Sequence, residues 1–527
     1  VGTERREKGE DGDEKKKKAL AAGHEKEKLS FVTELNMYYL GEFLELAQSY
    51  RSFFVVADGI VESEANEASD RLLEVSKRLF NELYVLVKDV VSEISDPEIM
   101  KRALETVYRN LENLNVALPY LSLSDKSTAL IRDSLYLRIE KMYNGMRDRL
   151  RERMEWMERS IAVSWRGSID SDTGATEGGR RLDGEAEALT PVTSPCILYT
   201  ISNTAFQATI TDTENFVMSM IPYFRLRQPL EKEVLERHTG SISMKLALKV
   251  QQLFLNINEN ILDFVTAAEN DFDAKHERLL VLLSLAVYCN QFNLVGVDSV
   301  LKILEHLPKG SAEHLHMPLL VNRLRESQNK LLRQYVVAQG RRLSRMVIKT
   351  VETPNWLVCK EARGVRSVLD LVFEEFALVD KEVCHTFPPE KLSADMHKPE
   401  FAAQLSSELN QKLFGKKLDV MRHVDLDRGS ILTAIIHILL KSFMESVRLC
   451  TFSRCGFQQM QVDLGYMAAV FSCYLGKGAQ TYSLTDEVLV QASDRCIDPE
   501  LLEPAVVESM SRTKLREQKL YVPNQTS

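Results

Sequence analysis

The sequence predicts an all-α protein, an elongated stack of antiparallel helical bundles. Apolar residues recur at three- and four-residue steps through most of the chain, the spacing of one helical stripe. Short breaks such as Pro308-Lys309-Gly310, Thr353-Pro354-Asn355 and Pro388-Pro389 separate these stretches. Strand and helix patterns do not alternate, which argues against a parallel sheet. At 527 residues the chain is too long for a single compact core.

In chain order, residues 1–28 hold almost no large apolar side chain and read as a charged tail, disordered or a solvated helix. Lys15 to Lys18 would make a membrane-surface patch, but Asp11, Asp13 and Glu14 directly before them cancel much of the field. Helical bundles are expected over 29–165. There Leu72, Val75, Leu79, Leu83, Leu86 and Val90 define one stripe, with Ser69 or Asp70 as N-cap. The following stretch "SDKSTALIRDSLYLRIEKMYNGMRDRLRERMEWMERSI" has no internal proline and predicts an unusually long helix.

Near Arg166 the periodicity gives way to Gly, Ser, Thr, Asp and Pro, so 166–196 reads as a disordered linker or insertion. Middle helical bundles are assigned to 197–390. Their first segment, "CILYTISNTAFQATITDTENFVMSMIPYF", is rich in β-branched residues and would pass locally for a strand pair; its setting between helices favours helix. A C-terminal bundle is assigned to 391–515 and a disordered tail to 516–527.

The composition is that of a globular protein, 44% hydrophobic and 27% charged. A net charge of -9 with interleaved acids and bases speaks against nucleic acid, which needs clustered Lys and Arg on one face. Eight cysteines without a C-x-x-C spacing point to a reduced, cytosolic chain. No run of about eighteen apolar residues is seen, so a membrane span is not expected and membrane contact would be peripheral. No signal peptide is read, and the opening Val1 leaves an N-terminal segment to be expected ahead of it.

Candidate chemistry is thin. His306, His314 and His316, with Glu305 and Glu313, resemble a metal cluster. However, His314 and His316 would diverge by roughly 200° on a helix, and no H-E-x-x-H is present. "LGKGAQT" lacks phosphate-loop spacing. Cys450 and Cys455 read as buried small hydrophobes on a helix, and Cys384-His385 lacks an orienting third residue. No catalytic constellation, cofactor or metal is expected. Arg341, Arg342, Arg345 and Lys349 fall partly along one helical face, either solvated or docking an acidic partner or anionic lipid. Trp356, just after a proline turn, is placed to pack one helix end on the next. In "FSRCGFQQMQVD", Phe457, Met460 and Leu464 form an apolar stripe with Gln458 and Gln459 at its edges. A buried amide needs partners for its carbonyl and both N–H groups, so such residues fix the placement of neighbouring helices.

Three blocks in order resemble the C-terminal half of the vacuolar protein sorting-associated protein 51 family. They are "LRQYVVAQGRRLSRMVIKTVETPNWLVCKEARGVRSVLDLVFEEF", "LLKSFMESVRLCTFSRCGFQQMQVD" and "DEVLVQASDRCIDPELLEPAVVESM". The most specific match is the family motif carried by Arg454, Gly456, Phe457, Gln458, Gln459, Gln461 and Asp463, with Trp356 in the preceding block. Residues 29–165 resemble the helical region after the family's N-terminal coiled coil. That coiled coil is not recognisable in 1–28, and "LGYMAAVFSCYLGKGAQT" is smaller and richer in glycine than the family pattern.

The resemblance implies a helical-rod tether fold and a subunit of the Golgi-associated retrograde protein (GARP) complex or its endosomal relative. It implies SNARE proteins, small GTPases and the other tether subunits as partners, at the cytoplasmic face of the trans-Golgi network and recycling endosomes. A subunit of the exocyst or the conserved oligomeric Golgi complex is the nearest alternative. A metal-dependent hydrolase built on the three histidines is the alternative from another class.

Overall fold

The computed structural model describes residues 3–54, 62–94, 96–117, 119, 123–173, 196–224, 232–269, 276–308, 315–388, 424–475 and 479–517. Among these residues the architecture is all-α, with no strand and an isolated parallel bridge between Phe452 and Cys496. The helices pack into two compact units. Each is assembled from three separated stretches of chain, where the sequence was divided linearly.

The first unit comprises Val1–Arg149, Ile210–Leu255 and Asp298–Met317. It opens with α1 (Thr3–Phe54), α2 (Glu62–Ser92) and α3 (Pro97–Ala117). Val32, Leu40, Phe43 and Ala47 are the buried face of α1, which packs on α2 and α3, and Phe43 meets Phe80 edge to face at 5.4 Å. Asp96 caps α3 by accepting from the N–H groups of Glu98 and Ile99. From α4 (Leu123–Thr173), the Arg138 guanidinium donates to the Ile94 carbonyl and the Asp133 carboxylate accepts from the Tyr84 hydroxyl. Glu140 of α4 is flanked by Lys245 at 3.4 Å and Lys249 at 2.8 Å, both from α6 (Lys232–Glu269).

The second unit comprises Leu150–Thr209, Asn256–Val297 and Pro318–Ser527. Helix α7 (His276–Gln291) is buried continuously from Leu279 to Cys289, which explains why its apolar residues run on instead of marking one stripe. Its hydroxyls are paired with α5 (Ile197–Phe224): Ser284 meets the Ser202 hydroxyl at 2.6 Å, and Tyr288 donates to Thr209 at 3.2 Å. A π-helical turn, Phe292–Gly296, follows; α8 (Val297–Leu304) comes next in the chain and, past Val297, belongs to the first unit. Helix α9 (Met317–Glu352) is tied to α6 by Ser327 donating to Asn258 and Gln334 donating to the Val265 carbonyl.

The rest of this unit is α10 (Val368–Cys384), α11 (Arg428–Val447), α12 (Arg454–Leu475), α13 (Ala479–Asp494) and α14 (Pro504–Glu517). Phe373 and Phe376 of α10 stack edge-on against Tyr466, Phe471 and Tyr474 of α12, with centroids 5.1 to 5.6 Å apart. Arg428 donates from Nε to Asp380 and from Nη1 to the Tyr474 carbonyl, fastening the start of α11 to α10 and to the end of α12. Burial would lower the Arg428 pKa, but the Asp380 carboxylate more than compensates and the net shift is upward.

Several elements depart from the sequence reading. Residues 3–28, for which a disordered tail or a solvated helix was expected, have helical backbone within α1. Helix α4 continues past Arg166 to Thr173, since extending an existing helix costs far less than starting one. Residues 174–195 lie outside the described residues. The strand-like segment is helix α5, its β-branched residues buried against neighbouring helices. Helix α2 starts at Glu62, so Ser69 and Asp70 are interior and not caps. Its buried stripe is Leu72, Ser76, Phe80, Leu83, Val87 and Val91, whereas Val75 and Leu86 are exposed. The predicted and buried stripes share Leu72 and Leu83, and Ser76 can lie on the buried one because its hydroxyl is satisfied by the Leu72 carbonyl within the helix. Finally, His276–Leu304 and Arg428–Val447 are each long and apolar enough to cross a membrane, contrary to the expected absence of such runs, and both are largely buried among other helices.

Candidate functional site

Ser453 occupies the N-cap position of α12. Its Oγ accepts from the Gly456 N–H at 3.2 Å and donates to the Trp356 carbonyl at 2.9 Å. The Ser453 N–H donates to the same carbonyl. The first turn of α12 is thereby pressed on the loop after α9, and Gly456 permits it: a Cβ there would lie 2.3 Å from the Trp356 carbonyl oxygen. The Trp356 indole is buried, donates its N–H to the Val351 carbonyl at 2.7 Å, and packs on Phe452 at 5.1 Å. Phe452 in turn exchanges backbone hydrogen bonds with Arg495 and Ile497, which brings the loop after α13 into the same cluster.

The amides bind backbone. Gln458 donates to the Glu500 carbonyl at 3.2 Å, and Gln459 to the Gly364 carbonyl and to Asp463, each at 3.0 Å. Gln461 makes a two-way contact with Leu502, donating to its carbonyl and accepting from its N–H. Arg454 pairs with Glu500 at the solvent edge. Phe457, Met460 and Leu464 are buried beneath. One helix therefore holds two loops, 353–367 through Gln459 and 495–503 through Gln458 and Gln461, by groups that would otherwise be unsatisfied on burial.

Asp463 is fully buried at the centre. It accepts from Arg366 Nε at 2.5 Å, the Arg366 N–H at 3.3 Å and Gln459. Arg366 also donates to the Thr350 carbonyl and lies over the Trp356 ring at 4.6 Å. Burial pushes the Asp463 carboxyl above its ordinary range, and the guanidinium and hydrogen bonds oppose that shift.

Of the basic cluster on α9, Arg341, Arg345 and Lys349 are exposed at four-residue steps, while Arg342 is half-buried and paired with Glu375 of α10. The histidines do not converge on a described site. His306 and His316 are exposed, His314 lies outside the described residues, and no group of three or more His, Cys, Asp or Glu among the described residues is arranged to hold a metal. Cys450 lies in the turn after α11 and Cys455 on α12, both half-buried where burial was expected.

Sequence reasoning missed Arg366, the partner of Asp463, because its role depends on a loop folding back 97 residues away. It also missed the carbonyls of Gly364, Glu500 and Leu502, which any residue could supply. Ser453 was findable as a serine directly before a helical run.

The helical bundles, with the clamp that Gln458, Gln459, Gln461 and Asp463 form on backbone groups and on Arg366, define a helical scaffold. No family model matches the chain. It is 26% identical over 93% of its length to the vacuolar protein sorting-associated protein 51 homolog of Dictyostelium discoideum, covering 54% of that protein. The Homo sapiens homolog is 24% identical over 91% of the chain, with 61% of that protein covered. The Xenopus tropicalis homolog is 32% identical over 254 residues, which are 43% of the chain and 33% of that protein. The chain is thus similar to vacuolar protein sorting-associated protein 51 homologs over more than nine-tenths of its length. It spans 54% to 61% of the length of the Dictyostelium, Bos taurus and human relatives.

Proposed function

We propose that the chain is a subunit of a vesicle tethering complex of the GARP type, acting in retrograde transport from endosomes to the trans-Golgi network. The observation that supports this reading most is the likeness to vacuolar protein sorting-associated protein 51 homologs over more than nine-tenths of the chain. In this reading the protein is not an enzyme. It works as a scaffold at the cytoplasmic face of the trans-Golgi network and recycling endosomes. Partner subunits, SNARE proteins, small GTPases and membrane surfaces are each held weakly, and linking the contacts on one chain raises the overall avidity. The exposed row Arg341, Arg345 and Lys349 is the proposed docking surface, with Arg342 fixing α9 to α10 behind it. The clamp centred on Asp463 keeps the C-terminal helices in the arrangement that partner subunits recognise.

The test is affinity purification of the tagged protein from its own cells, with mass spectrometry of what accompanies it. Recovery of the remaining subunits of the retrograde tether supports the reading. Recovery of exocyst or conserved oligomeric Golgi subunits instead, or of none of these, overturns it.

A further inference from the structure

A second buried polar cluster, away from the clamp, joins α7, α9 and α10. Glu382 of α10 is fully buried. Its Oε2 accepts from the Tyr335 hydroxyl at 2.7 Å and from Gln339 at 2.8 Å, both on α9. Its Oε1 accepts no hydrogen bond and lies 3.4 Å from Nδ1 of His276, the first residue of α7, which is about a third exposed. Trp165 of α4 flanks the site, with its ring 5.9 Å from His276 and 5.1 Å from His385. The Ile197 N–H donates to His385 Nδ1, which turns that histidine to α5. The charged groups around the pair are Arg342 of α9, Glu375 of α10 and Glu277 of α7; Arg278 lies instead over the Phe264 ring.

We propose that this junction is a proton-linked latch: one proton held between Glu382 and His276 fastens the start of α7 to α9 and α10, and its loss slackens that attachment. With the proton present, either a neutral carboxyl donates to the imidazole or a carboxylate faces an imidazolium, and both satisfy Oε1. Without it, a charged carboxylate remains buried with Tyr335 and Gln339 as its donors, and burial makes that charge costly. Burial pushes Glu382 up to about 7, against the opposing Tyr335, Arg342 and Gln339. Burial and then Arg342 lower His276, with Glu375 and Glu277 opposing. A carboxyl raised on folding favours the folded junction below its unfolded pKa, and that contribution is lost as pH rises through about 7.

The test is hydrogen exchange of the full chain from pH 5 to 8.5, corrected for the chemical exchange rate. It compares peptides at the start of α7 with peptides from Phe457–Asp463. Between the ordinary carboxyl range and about 7, where the closed junction holds a proton that the opened one releases, opening at α7 should rise up to about tenfold per pH unit and then level off, with no such rise at the second site. Glu382→Gln should abolish the rise. Tyr335→Phe removes a donor to the carboxylate and should move the midpoint to higher pH. A flat profile in the wild-type chain, the same slope in Glu382→Gln, or an unmoved midpoint in Tyr335→Phe would each overturn the latch. If Glu382→Gln fails to fold, the wild-type and Tyr335→Phe profiles decide.

Discussion

Replacing Arg366 with alanine tests the clamp at its centre. The substitution removes the Nε hydrogen bond to Asp463 and the bond to the Thr350 carbonyl, and it uncovers the Trp356 ring. Asp463, with no exposed surface, is left with Gln459 and one long backbone contact. Breaking a buried charge pair from one side costs about 3 to 5 kcal/mol, because the remaining charge stays desolvated. Urea denaturation and hydrogen exchange at Phe457–Asp463 would measure it, the latter as a loss of protection of about a hundredfold or more. The variant should regain part of the loss as pH falls, since Asp463, already raised by burial, rises further without the guanidinium and takes up a proton in the folded state. Adding Asp463→Asn should restore stability, so that the double variant loses less than the sum of the singles by about 2 kcal/mol. Strict additivity of the two changes would refute the clamp.

Gly456→Ala should destabilise by at least about 1 to 3 kcal/mol, because the new methyl meets a backbone oxygen fixed by two hydrogen bonds; an unchanged denaturation midpoint would show that the loop can yield. Phe457→Ala or Trp356→Ala should each cost about 3 to 5 kcal/mol in urea denaturation, as both side chains are buried. Gln461→Ala should cost about 1 to 3 kcal/mol by stranding both backbone groups of Leu502, read as faster exchange in the loop before α14. Reversing Arg341, Arg345 and Lys349 to glutamate should reduce recovery of partner subunits and leave the melting temperature within about 2 °C, since these side chains are exposed; a large drop in melting temperature would show a packing role instead.

Helix α5 shows where local propensity misleads. Its β-branched residues favour strand in isolation, and only burial against helices on several sides makes them helical. Helix α2 shows the same at the level of a face: which of two adjacent stripes is buried was decided by where α1 and α3 lie and by Ser76 satisfying itself within the helix. In the clamp, Gln458, Gln459, Gln461 and Asp463 stood out because amides and a carboxylate beside Phe457 and Met460 demand partners.

The sequence by itself determined the helical class and the residues of α12 that needed explanation. These follow from apolar periodicity and from side-chain chemistry, which are local properties. Only the tertiary structure decided the partners. Arg366 reaches Asp463 across 97 residues, and His276 meets Glu382 after a separation longer still. Backbone carbonyls carry no sequence signature, so the acceptors of Gln458 and Gln459 could not be read before the loops were seen in place.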